Sequence, residues 1–88
     1  MVTKKAEATS EATTIKYAGY GVWNSTCDCT GPVQRAYANG MRVFLAGNQW
    51  CGDPSHGNRK YLYIVWVTPA GTSSGVVGED DSTGIKLP

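Results

Sequence analysis

Residues 61–68, YLYIVWVT, form an unbroken run of aromatic, aliphatic and β-branched side chains. Successive side chains of a pleated strand point to opposite faces. Tyr61, Tyr63, Val65 and Val67 therefore lie on one side, and Leu62, Ile64 and Trp66 on the other. Both sides are apolar, the pattern of a strand that is covered twice. A small sheet standing alone covers only one of its faces. The second face has to meet another sheet, a barrel interior or another chain. Pro69 ends the run because it lacks the donor that a ladder needs.

The rest of the chain supplies companions for this strand. Residues 13–23, TTIKYAGYGVW, read as a second strand, in which Gly19 and Gly21 mark a bulge or a close backbone approach. Residues 24–32 are turn formers, which places the Cys-Asp-Cys on a loop. Residues 32–40, PVQRAYANG, fit either a short helix with Pro32 in its first turn or a strand closed by an Asn39-Gly40 hairpin turn. The hairpin is the preferred reading, because MRVFLAG follows at once with Met41, Val43 and Leu45 on one face and Arg42 and Phe44 on the other. Residues 48–60 are a polar loop broken by Gly and Pro. The expectation is a mainly β domain, a small barrel or sandwich of about five short strands.

At 88 residues there is room for one domain. A chain this short buries only roughly 60% of its unfolded surface, so a disulfide, a metal or a partner subunit is expected to help hold it. Residues 1–13 are too polar to fold alone and read as a flexible or partner-ordered arm. Residues 14–69 are the β-domain. Residues 70–88 are a Gly/Ser-rich C-terminal segment or arm whose apolar points are Val76, Val77, Ile85 and Leu87. Lys4 and Lys5 at one end and Glu79, Asp80 and Asp81 at the other are complementary in charge and suited to pairing between neighbours.

Eight basic and seven acidic residues leave a net charge of +1, with no basic run longer than two. That excludes the clustered positive face of a nucleic-acid binder. No apolar stretch follows the lysines as it does in a secretory signal, and none is long enough to span a bilayer. The expectation is a chain that stays in the cytosol without a membrane partner, where thiols are reduced or metal-bound.

Three cysteines and the single histidine raise the question of a site. Cys27, Cys29, Cys51 and His56 are a set suited to zinc, drawn from two loops. The single residue between Cys27 and Cys29 is shorter than the usual knuckle, and the four between Cys51 and His56 are acceptable. Two other arrangements remain open. Cys51 bonds to Cys27 or to Cys29 and leaves the other free, or all three are half-buried thiols. A nucleophilic reading would use Cys51 with His56 as base and Asp53 as its orienting group. All three lie within six residues on one loop, whereas catalytic sets are drawn together around a pocket from distant parts of a chain. No enzymatic activity is expected, and no cofactor beyond zinc.

Three tryptophans and five tyrosines are many for this length. Exposed along one face they would make a carbohydrate-binding surface; shared between core and surface they would make a core and a protein interface. Tyr61, Tyr63 and Trp66, with Ile85 and Leu87 as arm anchors, are the candidate interface residues.

The opening MVTKKAEA, the Thr/Glu-rich stretch after it and IKYAGYG, joined to a compact β-domain with extended ends, resemble small structural proteins of tailed bacteriophages: capsid decoration proteins and minor head or tail components. The resemblance covers the first 20 or so residues and the general plan, and no functional residue carries over from it. It implies a non-enzymatic virion protein, assembled in the host cytoplasm, whose partners are the major capsid protein or further copies of itself. The alternative is a small binding module with a Cys3His zinc-stabilised loop or an aromatic carbohydrate-binding face.

Overall fold

The computed structural model describes residues 13–88. The elements are β1 (Thr14–Val22), β2 (Ser25–Asp28), α1 (Thr30–Ala38), β3 (Val43–Phe44), β4 (Tyr61–Thr68), β5 (Gly71–Gly78) and β6 (Ile85–Lys86). Four strands form an antiparallel sheet in the order β2-β1-β4-β5, and β3 pairs with β6 in a second sheet of two strands. The architecture is mainly β and sandwich-like, and it is not a closed barrel.

Strand β4 lies at the centre of the larger sheet, as its apolar run requires. Leu62, Ile64 and Trp66 point inward, and Trp66 is 8% exposed. On β1 the register shifts between Ile15 and Tyr17, because both Lys16 and Tyr17 follow Ile15 where β4 offers one step from Trp66 to Val65. Lys16 is the extra residue of a bulge. Beyond it Ala18 and Tyr20 share the inner face with Ile15, and Tyr17, Gly19 and Gly21 turn outward. The glycines do not form the bulge. Gly21 permits a close approach instead: a Cβ there would fall on the backbone of Ser25 and Thr26 in the neighbouring hairpin arm.

Two local expectations are corrected. The Cys-Asp-Cys is not a loop, because Cys27 and Asp28 end β2 and Cys29 precedes the helix. Residues 30–38 are helical, not a strand. The Asp28 carboxylate accepts hydrogen bonds from the Thr30 amide at 2.9 Å and the Thr30 hydroxyl at 2.6 Å, and that hydroxyl accepts from the Ala18 amide at 3.0 Å. The first turn is thereby pinned to β1, and Val33 becomes the buried helical residue. Asn39 has φ −87°, whereas a type I′ hairpin needs positive φ at both central residues. Gly40, at φ 107°, ends the helix instead, and the Met41 amide reaches back to the Ala36 carbonyl at 2.9 Å.

Residues 70–88 belong to the domain. After the Pro69-Ala70 turn, β5 pairs with β4 along its whole length. The chain then crosses to the small sheet, where Ile85 pairs with Phe44 and the Leu87 amide donates to the Arg42 carbonyl at 2.9 Å. Ile85 and Leu87 are buried with Phe44, Trp50, Val33 and the inner face of the larger sheet in one apolar cluster. Ile85, Leu87 and Trp66 are therefore core residues and not interface anchors: their apolar area is already removed from water within the chain. Glu79 and Asp80 pair internally with Lys60 and Arg59. The expected N-terminal arm, with Val2, Lys4 and Lys5, lies outside the described residues apart from Thr13.

Candidate binding face

The outer face of the four-stranded sheet is the surface that the sequence expected to be covered. Tyr61 and Tyr63 stay exposed on it, and Tyr63 is 48% exposed. Their cross-strand partners are small: Tyr63 faces Gly19 on β1 and Val76 on β5, and Tyr61 faces Gly21 and Gly78. Planar groups lie in the spaces that the glycines leave. The Tyr17 side chain covers the position where a Gly19 Cβ would be, and the Arg59 guanidinium covers that of Gly78. Arg59 also sits 4.8 Å from the centre of the Tyr61 ring and donates from Nε to Asp80 at 2.7 Å. Burial, followed by the nearby Asp28, Cys29 and Tyr63, raises the Tyr17 pKa, so its hydroxyl stays neutral at any physiological pH.

One residue stands clear of this surface. Trp23 occupies the two-residue turn between β1 and β2 and is 94% exposed. With Tyr61, Tyr63, Val76, Gly21, Val22 and Thr26 it borders an open groove of about 640 Å³. A second apolar row lies elsewhere: Met41, Val43 and Leu45 are exposed around the small sheet, on the side opposite the buried Phe44. The sequence grouped these three correctly on one face.

The four proposed metal ligands are not brought together. Cys27 and Cys51 form a disulfide, so neither sulfur is free to bind a metal. Cys29 is fully buried in the core, where burial first and Asp28 second push its thiol up to about 11. His56 is 97% exposed and touches Asp53, with Nδ1 3.2 Å from Oδ2. Among the described residues no group of three or more His, Cys, Asp or Glu side chains is arranged to hold a metal. The disulfide also removes Cys51 as a nucleophile beside His56. One of the open cysteine arrangements is thus the one adopted, Cys51 bonded to Cys27 with Cys29 left free.

What the loop builds is a clamp. Lys60 is almost fully buried, with Nζ 2.9 Å from Asp53 and 3.4 Å from Glu79, and it donates to the carbonyls of Ser55 and Asn58. Glu79 accepts from the Lys60 amide at 2.8 Å and from the Tyr20 hydroxyl at 3.0 Å. The hydrogen bond to Asp53 is the main cause that holds the Lys60 pKa above its usual range. The amine therefore remains an ammonium and is a poor nucleophile. The clamp and the disulfide hold loop 48–60 against the β1–β2 hairpin and so fix the turn that carries Trp23.

Comparison with known proteins finds no matching family model, no matching curated protein and no matching solved structure. Tyr61 and Tyr63 were legible as surface candidates from their strand. Val76 was read only as an apolar point of the C-terminal segment, and neither it nor Trp23 nor Tyr17 was assigned to a binding face. A tryptophan between two strand-like runs, beside glycines on the same outward face, was the available signal.

Proposed function

We propose that this chain is a non-enzymatic structural module that docks neighbouring protein subunits through the outer face of its four-stranded sheet. The observation that carries the reading is the open aromatic surface of Tyr17, Tyr61, Tyr63 and Val76 with Trp23 beside it. Exposing this much aromatic area to water is unfavourable, and Tyr and Trp are the side chains that contribute most at protein contacts. The separate row of Met41, Val43 and Leu45 supports a subunit that touches neighbours on more than one side. Arg59, a cation on the outer face, is engaged by Asp80, which favours a protein surface over a phosphate backbone. A virus particle is the assembly implied by the phage-protein resemblance, and the Cys27–Cys51 bond suits a protein whose working life is spent outside a reducing cytosol.

A second reading is favoured by one feature. Tyr17 and Arg59 cover the glycines with planar groups, and planar groups stack on sugar rings as well as on side chains.

A photo-crosslinking amino acid in place of Tyr63, with another at exposed Ala38 as control, separates the readings in producing cells. Position 63 is expected to join one defined protein subunit, position 38 none, and Trp23→Ala is expected to abolish the product while leaving the melting temperature unchanged. Equal crosslinking from both positions would refute the docking face. Binding to a glycan array that is lost in Tyr63→Ser would establish the sugar reading in its place.

A further inference from the structure

The two edges of the larger sheet are treated differently by the chain. Strand β2 is four residues long and carries Asp28. Loop 48–60 is fastened to it by the Cys27–Cys51 bond and by the Ser25 hydroxyl, which donates to the Pro54 carbonyl at 2.6 Å. Those are the usual means of blocking a sheet edge: shortness, charge and a covering segment. Strand β5 has none of them. It is eight residues long, GTSSGVVG, without a charge or a proline. Gly71–Ser74 and Val76 are exposed.

The phase of the ladder shows which groups are unused. The Glu79 amide donates to the Lys60 carbonyl at 3.0 Å. Alternation along an antiparallel pair then directs the amides of Val77, Gly75 and Ser73 toward β4 and those of Val76, Ser74 and Thr72 away from it. Among the described residues no other backbone hydrogen bond engages Thr72, Ser74 or Val76. An extended backbone is what satisfies such a row.

We infer that β5 pairs antiparallel with β5 of a second copy of this chain, about a two-fold axis at Ser74. The choice of a second copy follows from the strand's own composition. A two-fold axis at Ser74 sets Ser74 against Ser74 and Thr72 against Val76, so no like charges meet and a β-branched pair forms on each side of the axis. The strand offers no charge that would select a different partner. The outward side chains of the two copies fall on the same side, so the two aromatic faces become one continuous surface across an eight-stranded sheet. The inference is independent of what docks on that face.

Sedimentation equilibrium on the full chain tests it. The wild type is expected to dimerise with concentration, and Ser74→Lys and Ser74→Glu are each expected to weaken the dimer about tenfold or more, because like charges meet at the axis. An equimolar mixture of the two variants is expected to restore the dimer. Tyr63→Ser, on the outer face, is expected to leave it intact. Hydrogen exchange on the wild type gives a readout that needs no variant: protection of the Thr72, Ser74 and Val76 amides should rise with concentration. A chain that stays monomeric throughout would overturn the inference, as would a dimer indifferent to charge at position 74. Protection of those three amides in a monomer, lost when residues 1–12 are deleted, would overturn it too by assigning the edge to the chain's own N-terminal segment.

Discussion

Replacing Cys27 and Cys51 together by alanine frees two segments that are 24 positions apart in sequence. The bond closes its loop in the unfolded chain as well as in the folded one, and there it removes configurations that the reduced chain would explore. For a loop of this size the chain-entropy relation gives about 3.5 kcal/mol. A domain of this length has roughly 4–13 kcal/mol of stability to lose, so the bond accounts for a large share of it. At about 4–8 °C per kcal/mol for such a domain, the melting temperature should fall by about 14–28 °C. The fold itself should persist, because the Lys60 clamp still holds loop 48–60 to β5 through Glu79. Fraying should appear at β2 and in the Trp23 turn, where the loop is attached through Cys27 and Ser25. Urea unfolding followed by tryptophan fluorescence measures the loss. The slope against urea should also steepen, since the denatured state is no longer cross-linked and exposes more surface. Thiol titration of the unfolded wild type should find one thiol, that of Cys29. A double variant within about 1 kcal/mol of the wild type would refute the entropic argument. Three titratable thiols would refute the bond.

Trp66→Ala should cost about 3–5 kcal/mol, since its ring is in the core and its removal leaves a cavity there; a near-neutral effect in urea unfolding would return Trp66 to the surface. Stability should be greatest between about pH 5 and pH 9 and fall on both sides. On the acid side Asp53, held low chiefly by the Lys60 hydrogen bond, and Glu79, held low chiefly by the Lys60 amide, contribute stability that is present above their unfolded pKa and lost as pH falls through the folded one. On the alkaline side Lys60, raised chiefly by Asp53, and Tyr20, raised by burial and then by Glu79, contribute stability that is present below their unfolded pKa near 10 and lost as pH rises. Melting temperatures across this range check both limbs; Tyr20→Phe should flatten part of the alkaline one, and a melting temperature still climbing above about pH 10 would contradict the sign.

Two strands were legible because their information is local. Residues 61–68 announce a central strand through an apolar run that alternates onto two faces, and residues 14–22 do so through β-branched and aromatic residues beside glycines. The same locality explains the failures. Pro32, Asn39 and Gly40 suit a helix or a hairpin equally, and the choice depended on Thr30 bonding to Ala18, twelve residues back, and on Val33 finding a place in the core. Ile85 and Leu87 looked like anchors of a free arm because their partners, Phe44 and Arg42, lie more than 40 residues away. Cys51 had two equally near candidates in Cys27 and Cys29, and only the facing of β2 separates them: the inward Cys27 meets the loop, while Cys29 enters the core ahead of α1. The candidate site divides in the same way. A single sequence dictated that β4 has two apolar faces, because side-chain alternation is a property of the strand itself. Which face would be left open was decided by where α1, Trp50 and the small sheet packed, and those contacts join segments that are distant along the chain.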